Sequence, residues 1–454
     1  MRKRLVALAL CVAVPAGLGT VAAGATVREE YDHTKNLVQL AQVPTKLGKE
    51  ARAQGSDLAF KGNLVISGSY EGAGFFRIGG KRQGYLKQVG FYDCPAGQGD
   101  VSVWGDLLFI SVDSNTSNIG DSPICNNTKT NRSDSSLEKE GVRIVDISDL
   151  RQPRQVGFVE TDCGSHTHTL VPHKKDLFMY VDSYPISGQG PTCNHATHRK
   201  FSIVKVNLDN PVKSDVVGTH ALPPDTLGCH DTTAVPQRDL AIAACLGVWI
   251  TMDISNPAKP KTLAETRNPY IELDHSSAVT WDGKIALIGD EHAGAAGGGG
   301  CSPDPSSPVG ALWFYDISDP TAPILLSSRS LPRVPVADDP AEAERFRCTT
   351  HNFNVVPMKN PKKYIAVVSY YSGGIAAIDF SNPEEPKEIA HFVYNPEGTN
   401  PDTWASYWYN GRIYTNDYLS KFGVGVYKLK GTGPKQTRYF RGGMNPQLQI
   451  ANFR

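Results

Sequence analysis

One recurring phrase limits what this chain can fold into. An apolar, strand-like run ends in Asp-Ile-Ser or a close variant, and a proline follows within a few residues. It reads GVRIVDISDLRQP at Gly141 to Pro153 and WITMDISNPAKP at Trp249 to Pro260. It returns as LWFYDISDPTAP at Leu312 to Pro323 and IAAIDFSNPEEP at Ile375 to Pro386. Weaker copies are FFRIGGKRQG from Phe75, FSIVKVNLDNP from Phe201 and GVGVYKLKG from Gly423. In the unit Gly228 to Pro260, two shorter strand-like runs (Thr232 to Pro236 and Leu240 to Ala244) precede the phrase, and a fourth (Lys261 to Glu265) follows it. Such runs, punctuated by Gly, Asn and Pro, signal strands and turns rather than helices.

About seven copies recur at a period of roughly 45 to 60 residues. A four-stranded sheet cannot bury both its faces alone, so units of this kind stack radially as propeller blades. The expectation is an all-β, seven-bladed β-propeller of four-stranded blades. Blade seven lacks a fourth strand of its own. NLVQLAQVP, at Asn36 to Pro44, resembles the fourth strand RQVGFVET at Arg154 to Thr161. It is expected to complete blade seven and close the ring. The runs LVIS, LFIS, IALIG and IAVVS, each leading towards the phrase, resemble the LVIVD-repeat family of exported bacterial and archaeal seven-bladed propellers. The resemblance covers nearly the whole mature chain and implies a fold, not an activity.

The N-terminus reads as a leader. Arg2, Lys3 and Arg4 precede a largely apolar stretch, and Ala23-Gly24-Ala25 fits a cleavage site, giving a signal peptide over 1–25 and one propeller domain over 26–454. The tail from about 432 to 454 falls outside the repeat. No later apolar run is long enough to span a membrane, so the mature protein is expected to be secreted. The formal net charge is +0 and no basic run follows the leader, which argues against nucleic acid as a partner.

Export makes the cysteines a disulfide question. Beyond Cys11 in the leader there are eight, all placed near one face of the repeat. Neighbour pairing gives Cys94–Cys125, Cys163–Cys193, Cys229–Cys245 and Cys301–Cys348. None has the CxxC-like spacing of a thiolate zinc site.

The first strands of four consecutive units begin alike: HTHTLVP at His166, HDTTAVP at His230, HSSAVTW at His275 and HNFNVVP at His351. The matching places in the other blades fall near Gly55, Gln98 to Asp100, and Thr403 to Trp404. Radial symmetry would aim the four imidazoles at one point on the axis. Neutral imidazole is a common metal ligand, and its second nitrogen is often fixed by a carboxylate. Four histidines without thiolate suit a divalent transition metal, Fe or Cu with Zn possible. Candidate metal ligands are therefore His166, His230, His275 and His351. Asp231, Glu291 and His168 are candidate catalytic or supporting groups, with Asp182 and Asp274 beside them. His168 shares a face with His166 by strand alternation. The competing reading is structural: repeats copy residues by descent, and a strand-start histidine can bond the neighbouring blade's backbone.

Long insertions at 113–140, 182–200 and 294–308 lie on the same face, which marks a working face in repeat proteins. No nucleophile elbow or phosphate loop occurs. Three readings remain open. One is a metal-dependent enzyme doing redox or lyase chemistry on a small extracellular molecule. The second is an adhesion module binding protein or glycan through its loops. The third is a histidine-assisted, metal-dependent polysaccharide lyase.

Overall fold

The computed structural model describes residues 32–46, 54–79, 84–94, 97–113, 140–185, 193, 198–292, 301, 307–333, 346–394 and 402–454. The leader and most of the inserted loops lie outside these residues. The regular structure among the described residues is almost entirely strand. The helical elements among the described residues are two short 3-10 turns, Pro211–Lys213 and Pro236–Arg238.

Seven antiparallel sheets form the expected β-propeller. Blade 1 uses Gly55–Lys61, Leu64–Ser69, Gly72–Ile78 and Leu86–Asp93. Blades 2 to 6 follow in chain order, with innermost strands beginning at Val101, Thr167, Cys229, Asp274 and Phe353. Blade 7 uses Thr403–Tyr409, Arg412–Asp417 and Val424–Leu429, and its fourth strand is Leu37–Val43. Each innermost strand packs on the next, and the last packs on the first, so the ring closes.

Local chemistry explains the recurring phrase. The aspartate ending the third strand accepts a hydrogen bond from the serine N–H two residues on. The distances are 2.9 Å at Asp146, 2.8 Å at Asp253, 2.8 Å at Asp316 and 3.0 Å at Asp379. A second Asp or Asn repeats this three residues later, at Asp149, Asn256, Asp319 and Asn382. These side chains stand in for a backbone turn and carry the chain into the fourth strand. The third and fourth strands then pair through a β-bulge in all seven blades. The bulge between Gln39 and Ala41 marks the N-terminal strand as a true fourth strand. Bulges increase local twist, as an outer blade edge requires.

The C-terminal tail, which the repeat pattern left unplaced, crosses one mouth of the channel opposite the histidine face. Gly443–Met444 pairs with Phe60 and Lys61 of blade 1. The Asn445 amide brackets Val103 of blade 2, accepting from its N–H at 2.8 Å and donating to its C=O at 2.9 Å. Gln449 does the same to Val279 of blade 5, at 2.7 Å each. Ala234 of blade 4 donates to the Gln447 carbonyl and accepts from the Gln449 N–H. An innermost strand turns an unpaired edge to the channel, and buried backbone groups must find partners. The tail supplies them, with Phe440, Met444 and Leu448 buried beside it.

The N-terminal strand is held less by charge than by burial. Leu37 is fully buried in the core between blades 6 and 7. His391 joins Asp32 and Glu388 at 3.0 Å each, a half-exposed pairing of small worth. Leu37→Ala is therefore expected to cost about 2–5 kcal/mol, and deletion of 36–43 to lower the melting temperature far more. Thermal denaturation followed by circular dichroism checks both; an unchanged melting temperature in the deletion would show that the ring does not need this strand.

Candidate functional site

The four repeat-phase histidines meet. His166, His230, His275 and His351 are all buried, at 5% exposure or less. Their rings run in a chain, with centroids 4.4 Å apart from His166 to His230, 3.7 Å to His275 and 4.2 Å to His351. The mechanism of convergence is a local one. His230 and His275 each occupy the extra position of a β-bulge between first and second strands. Trp404 of blade 7 does the same. A bulge re-aims one side chain without moving the strand, and here it turns that side chain to the axis.

A second ring of residues comes from the ends of the second strands. Tyr70, Leu246, Glu291 and Tyr418 each follow a second strand directly, and Tyr184 and Tyr371 lie one residue further. All six line a cavity of about 580 Å³ with His230, His275 and His351. Among these residues blade 5 contributes a carboxylate, Glu291, and at the same phase blade 2 contributes Asp113, which reaches His166.

The donor atoms are close. Nε2 of His166 and of His230 are 2.9 Å apart. Glu291 Oε2 is 3.5 Å from His275 Nε2, and its Oε1 is 3.9 Å from His351 Nε2. Donor atoms of His230, His275 and Glu291 all lie within 4.8 Å of one another. Bonds of about 2.0–2.2 Å to one ion place neighbouring donors about 3.0–3.5 Å apart, so these spacings fit a shared metal. Among the described residues neither nitrogen of His275 has a partner in hydrogen-bonding geometry, Glu291 Oε2 being the near acceptor at 3.5 Å, and His230 Nδ1 has none beyond the His275 backbone beside it. Buried polar atoms are normally satisfied, so these nitrogens leave room for a further partner such as water or an ion.

The outer ring nitrogens are held. His166 Nδ1 is 2.7 Å from Asp113 Oδ2. His351 Nδ1 donates to the Trp404 carbonyl at 2.6 Å, with the indole edge-on to the imidazole at 4.5 Å. Each hold leaves Nε2 facing the cup, as a metal-binding imidazole requires. Tyr184 OH lies 3.3 Å from His166 Nε2. Tyr371 OH donates to Glu291 Oε1. The Arg347 guanidinium sits 4.0 Å over the Tyr371 ring and is paired with Asp402.

Burial sets the charges. It drives His230, His275 and His351 well below the usual imidazole range, helped by their mutual repulsion. These rings are neutral at pH 7 and ready to coordinate. Burial pushes Glu291 up to about 7, against the Tyr371 hydrogen bond and the Arg347 charge, which lower it.

The remaining expected site residues lie elsewhere. His168 is fully buried between blades 2 and 3, with Nε2 2.7 Å from Ser102 Oγ and Nδ1 2.8 Å from Ser111 Oγ. Burial takes it down to about 3. Both nitrogens are engaged, so it fits the structural reading. The start of blade 3 carries no bulge, so His166 reaches the cup from outside the paired strand while His168 turns to blade 2. Asp231 pairs with Ala244 just below His230 and faces the channel rather than the cup. Asp182 lies beside it, and burial lifts it to about 7. Asp274 is buried near Asp290. Sequence reasoning missed Asp113 and Arg347 as site residues and gave Tyr371 no specific role. The repeat phase would have found Tyr371, two positions past the second strand like Tyr184.

Three expected disulfides are present: Cys163–Cys193, Cys229–Cys245 and Cys301–Cys348. Cys94 is also bridged, while Cys125 lies outside the described residues. Bridged cysteines agree with an oxidising setting. Asp162, Cys163 and His198 form another close group, but Cys163 is spent in its disulfide and Lys200 covers Asp162.

No family model matches the sequence, and no curated protein matches it. Solved structures do. The WD40 domain of Pan2 from Neurospora crassa aligns over 87% of this chain and 95% of its own, with TM-score 0.50 and 12% identity. The β-propeller domain of Cps50 (Swd1) from Myceliophteria thermophila aligns over 86% and 100%, with TM-score 0.48 and 10% identity. At such identity the Pan2 likeness supports the fold alone.

The neutral cup histidines give a signed pH effect. A folded-state imidazole held below its unfolded value near 6.5 contributes nothing adverse above that pH and loses stability as pH falls beneath it. With chelator present, each such ring is expected to remove about 1.4 kcal/mol per pH unit below 6.5. His275→Gln should flatten the decline of melting temperature between pH 6.5 and 5; equal slopes in both proteins would contradict the assignment.

Proposed function

We propose that this protein is a metal-dependent enzyme whose axial cup binds one divalent transition metal and turns over a small molecule entering from the histidine face. The observation that carries this reading is the close grouping of His230, His275 and Glu291, in which neither nitrogen of His275 is taken by a hydrogen bond among the described residues. Two imidazoles and one carboxylate are the donor set of oxygen-activating iron sites, and copper and zinc also accept them. Redox chemistry is the first choice and lyase chemistry the second. The resemblance to exported LVIVD-repeat propellers, the leader-like N-terminus and the disulfides together favour a secreted protein of bacterial type.

A bound transition metal supplies Lewis acidity or electron exchange. The chain's own residues do the rest. Asp113 and the Trp404 carbonyl fix His166 and His351, so that both present Nε2. Tyr371 orients Glu291 through its Oε1 and leaves Oε2 towards His275. Tyr184 OH, beside His166 Nε2 and kept neutral by burial, is placed to donate a hydrogen bond to a bound substrate. Tyr70, Trp404 and Tyr418 wall the entrance with aromatic surface suited to a planar or sugar-like substrate. The C-terminal tail crosses the opposite mouth, which leaves entry through the cup.

Metal analysis of the purified protein, after reconstitution with Fe(II), Cu(II) or Zn(II), is the test. Near-stoichiometric binding of one of them is expected, falling at least tenfold in His275→Ala and Glu291→Ala. Asp113→Asn should weaken affinity about 10–100-fold while leaving the fold intact, the usual cost of losing a group that orients a ligand. Substoichiometric metal in the wild type under all three conditions would overturn the proposal and leave a binding module that displays its loops.

A further inference from the structure

We propose that the channel holds a second cation, of the hard, oxygen-seeking class typified by calcium, in a chamber between the histidine cup and the C-terminal tail. Its walls are Asp57, Asp100 and Asp231. These occupy one repeat position, on the innermost strands of blades 1, 2 and 4, immediately below the cup position. All three are buried, at 4% exposure or less. The floor is Gln447 of the tail, whose amide donates to Asp57 Oδ2 at 2.7 Å while its carbonyl accepts from Ala234 across the channel.

The hydrogen bonds on the page do not satisfy this chamber. Asp57 is well held, by Tyr407 OH at 2.5 Å and the Leu58 N–H at 2.7 Å. Asp100 accepts at Oδ2 from the His168 N–H at 3.0 Å, but its Oδ1 has no donor. Asp231 Oδ1 has none either. A separate carboxylate points to the same need. Asp182, from the second strand of blade 3, is fully buried and acts on Asp231, and no donor in bonding geometry reaches either of its oxygens. The Thr232 hydroxyl lies beside it and offsets the effect of burial only in part.

Burial dominates at all four carboxylates, Asp57 and Asp182 both act on Asp231, Asp57 and Asp100 act on each other, and no lysine or arginine is among the leading influences on any of them. Four buried carboxylates with no countercharge are costly unless protons or a cation neutralise them. The donor chemistry separates this chamber from the cup. Above are imidazole nitrogens, which suit transition metals; below are only oxygens, which suit calcium with its six to eight irregular ligands.

Equilibrium dialysis against calcium, with thermal denaturation in calcium or chelator, tests this. His275→Ala serves as a background with the cup disabled. One calcium per chain and a melting temperature raised by several degrees are expected in both wild type and His275→Ala. Asp100→Asn and Asp231→Asn should each cut calcium affinity at least tenfold and abolish the rise. Should those variants fail to fold, Asp182→Asn, which leaves the strand positions intact, should still weaken calcium affinity. No bound calcium in the wild type, with Asp100→Asn and Asp231→Asn as stable as the parent, would overturn the proposal and assign the chamber to protons alone.

Discussion

Everything at the centre of this molecule depends on one strand pairing, that of Leu37–Val43 with Val424–Leu429. Only a closed ring has an axis, and only an axis makes a residue copied through a repeat converge on its copies. An open arc of seven sheets would leave two blade edges unpaired and spread the same four histidines along a curve. The pairing joins chain ends almost four hundred residues apart, so closure comes at the cost of a large loop entropy. The buried face of blade 7, with Leu37 in it, offsets that cost.

Given closure, repeat phase becomes radial position, and much of the architecture was legible for that reason. The Asp-Ile-Ser phrase marked third strands because its aspartates cap a turn. The histidines stood out because four copies shared one phase. The three described disulfides followed from placing each cysteine at a blade end. Phase cannot reveal which way a side chain turns, however. His166 and His168 look equivalent by alternation, yet the first reaches Asp113 and the cup while the second is locked between two serines of the neighbouring blade. A bulge at His230 and its absence at the start of blade 3 decide this, and a bulge is a backbone property with no residue signature here. The tail was illegible for the opposite reason. Asn445, Gln447 and Gln449 look like a polar tail, and only the presence of unpaired strand edges in the channel gives their amides a role.

The two residue rings divide the labour of the cup. First-strand starts supply imidazole, and second-strand ends supply mostly phenol, with carboxylates at two blades, Asp113 and Glu291. These substitutions break the sevenfold equivalence of the ring and gather the acidic groups beside the histidines. The structural reading of the histidines accounts for His168 in full and for one nitrogen of His351. It leaves His275 with no hydrogen bond among the described residues and only Glu291 nearby, and such a buried imidazole is costly to keep for packing alone.

The tail gives the axial arrangement its direction. With one mouth crossed by amides that complete the inner strands, polar groups in the channel are cut off from water on that side. Desolvation then acts on every group above the plug: it holds the imidazoles neutral and makes unpaired carboxylates expensive. The same low dielectric strengthens whatever charge enters to meet them. A propeller open at both ends would bathe His230, Glu291 and Asp231 in solvent and leave them with ordinary acidities. The acidities in the cup are therefore set as much by Gln447 and Gln449 beneath it as by the histidines that line it.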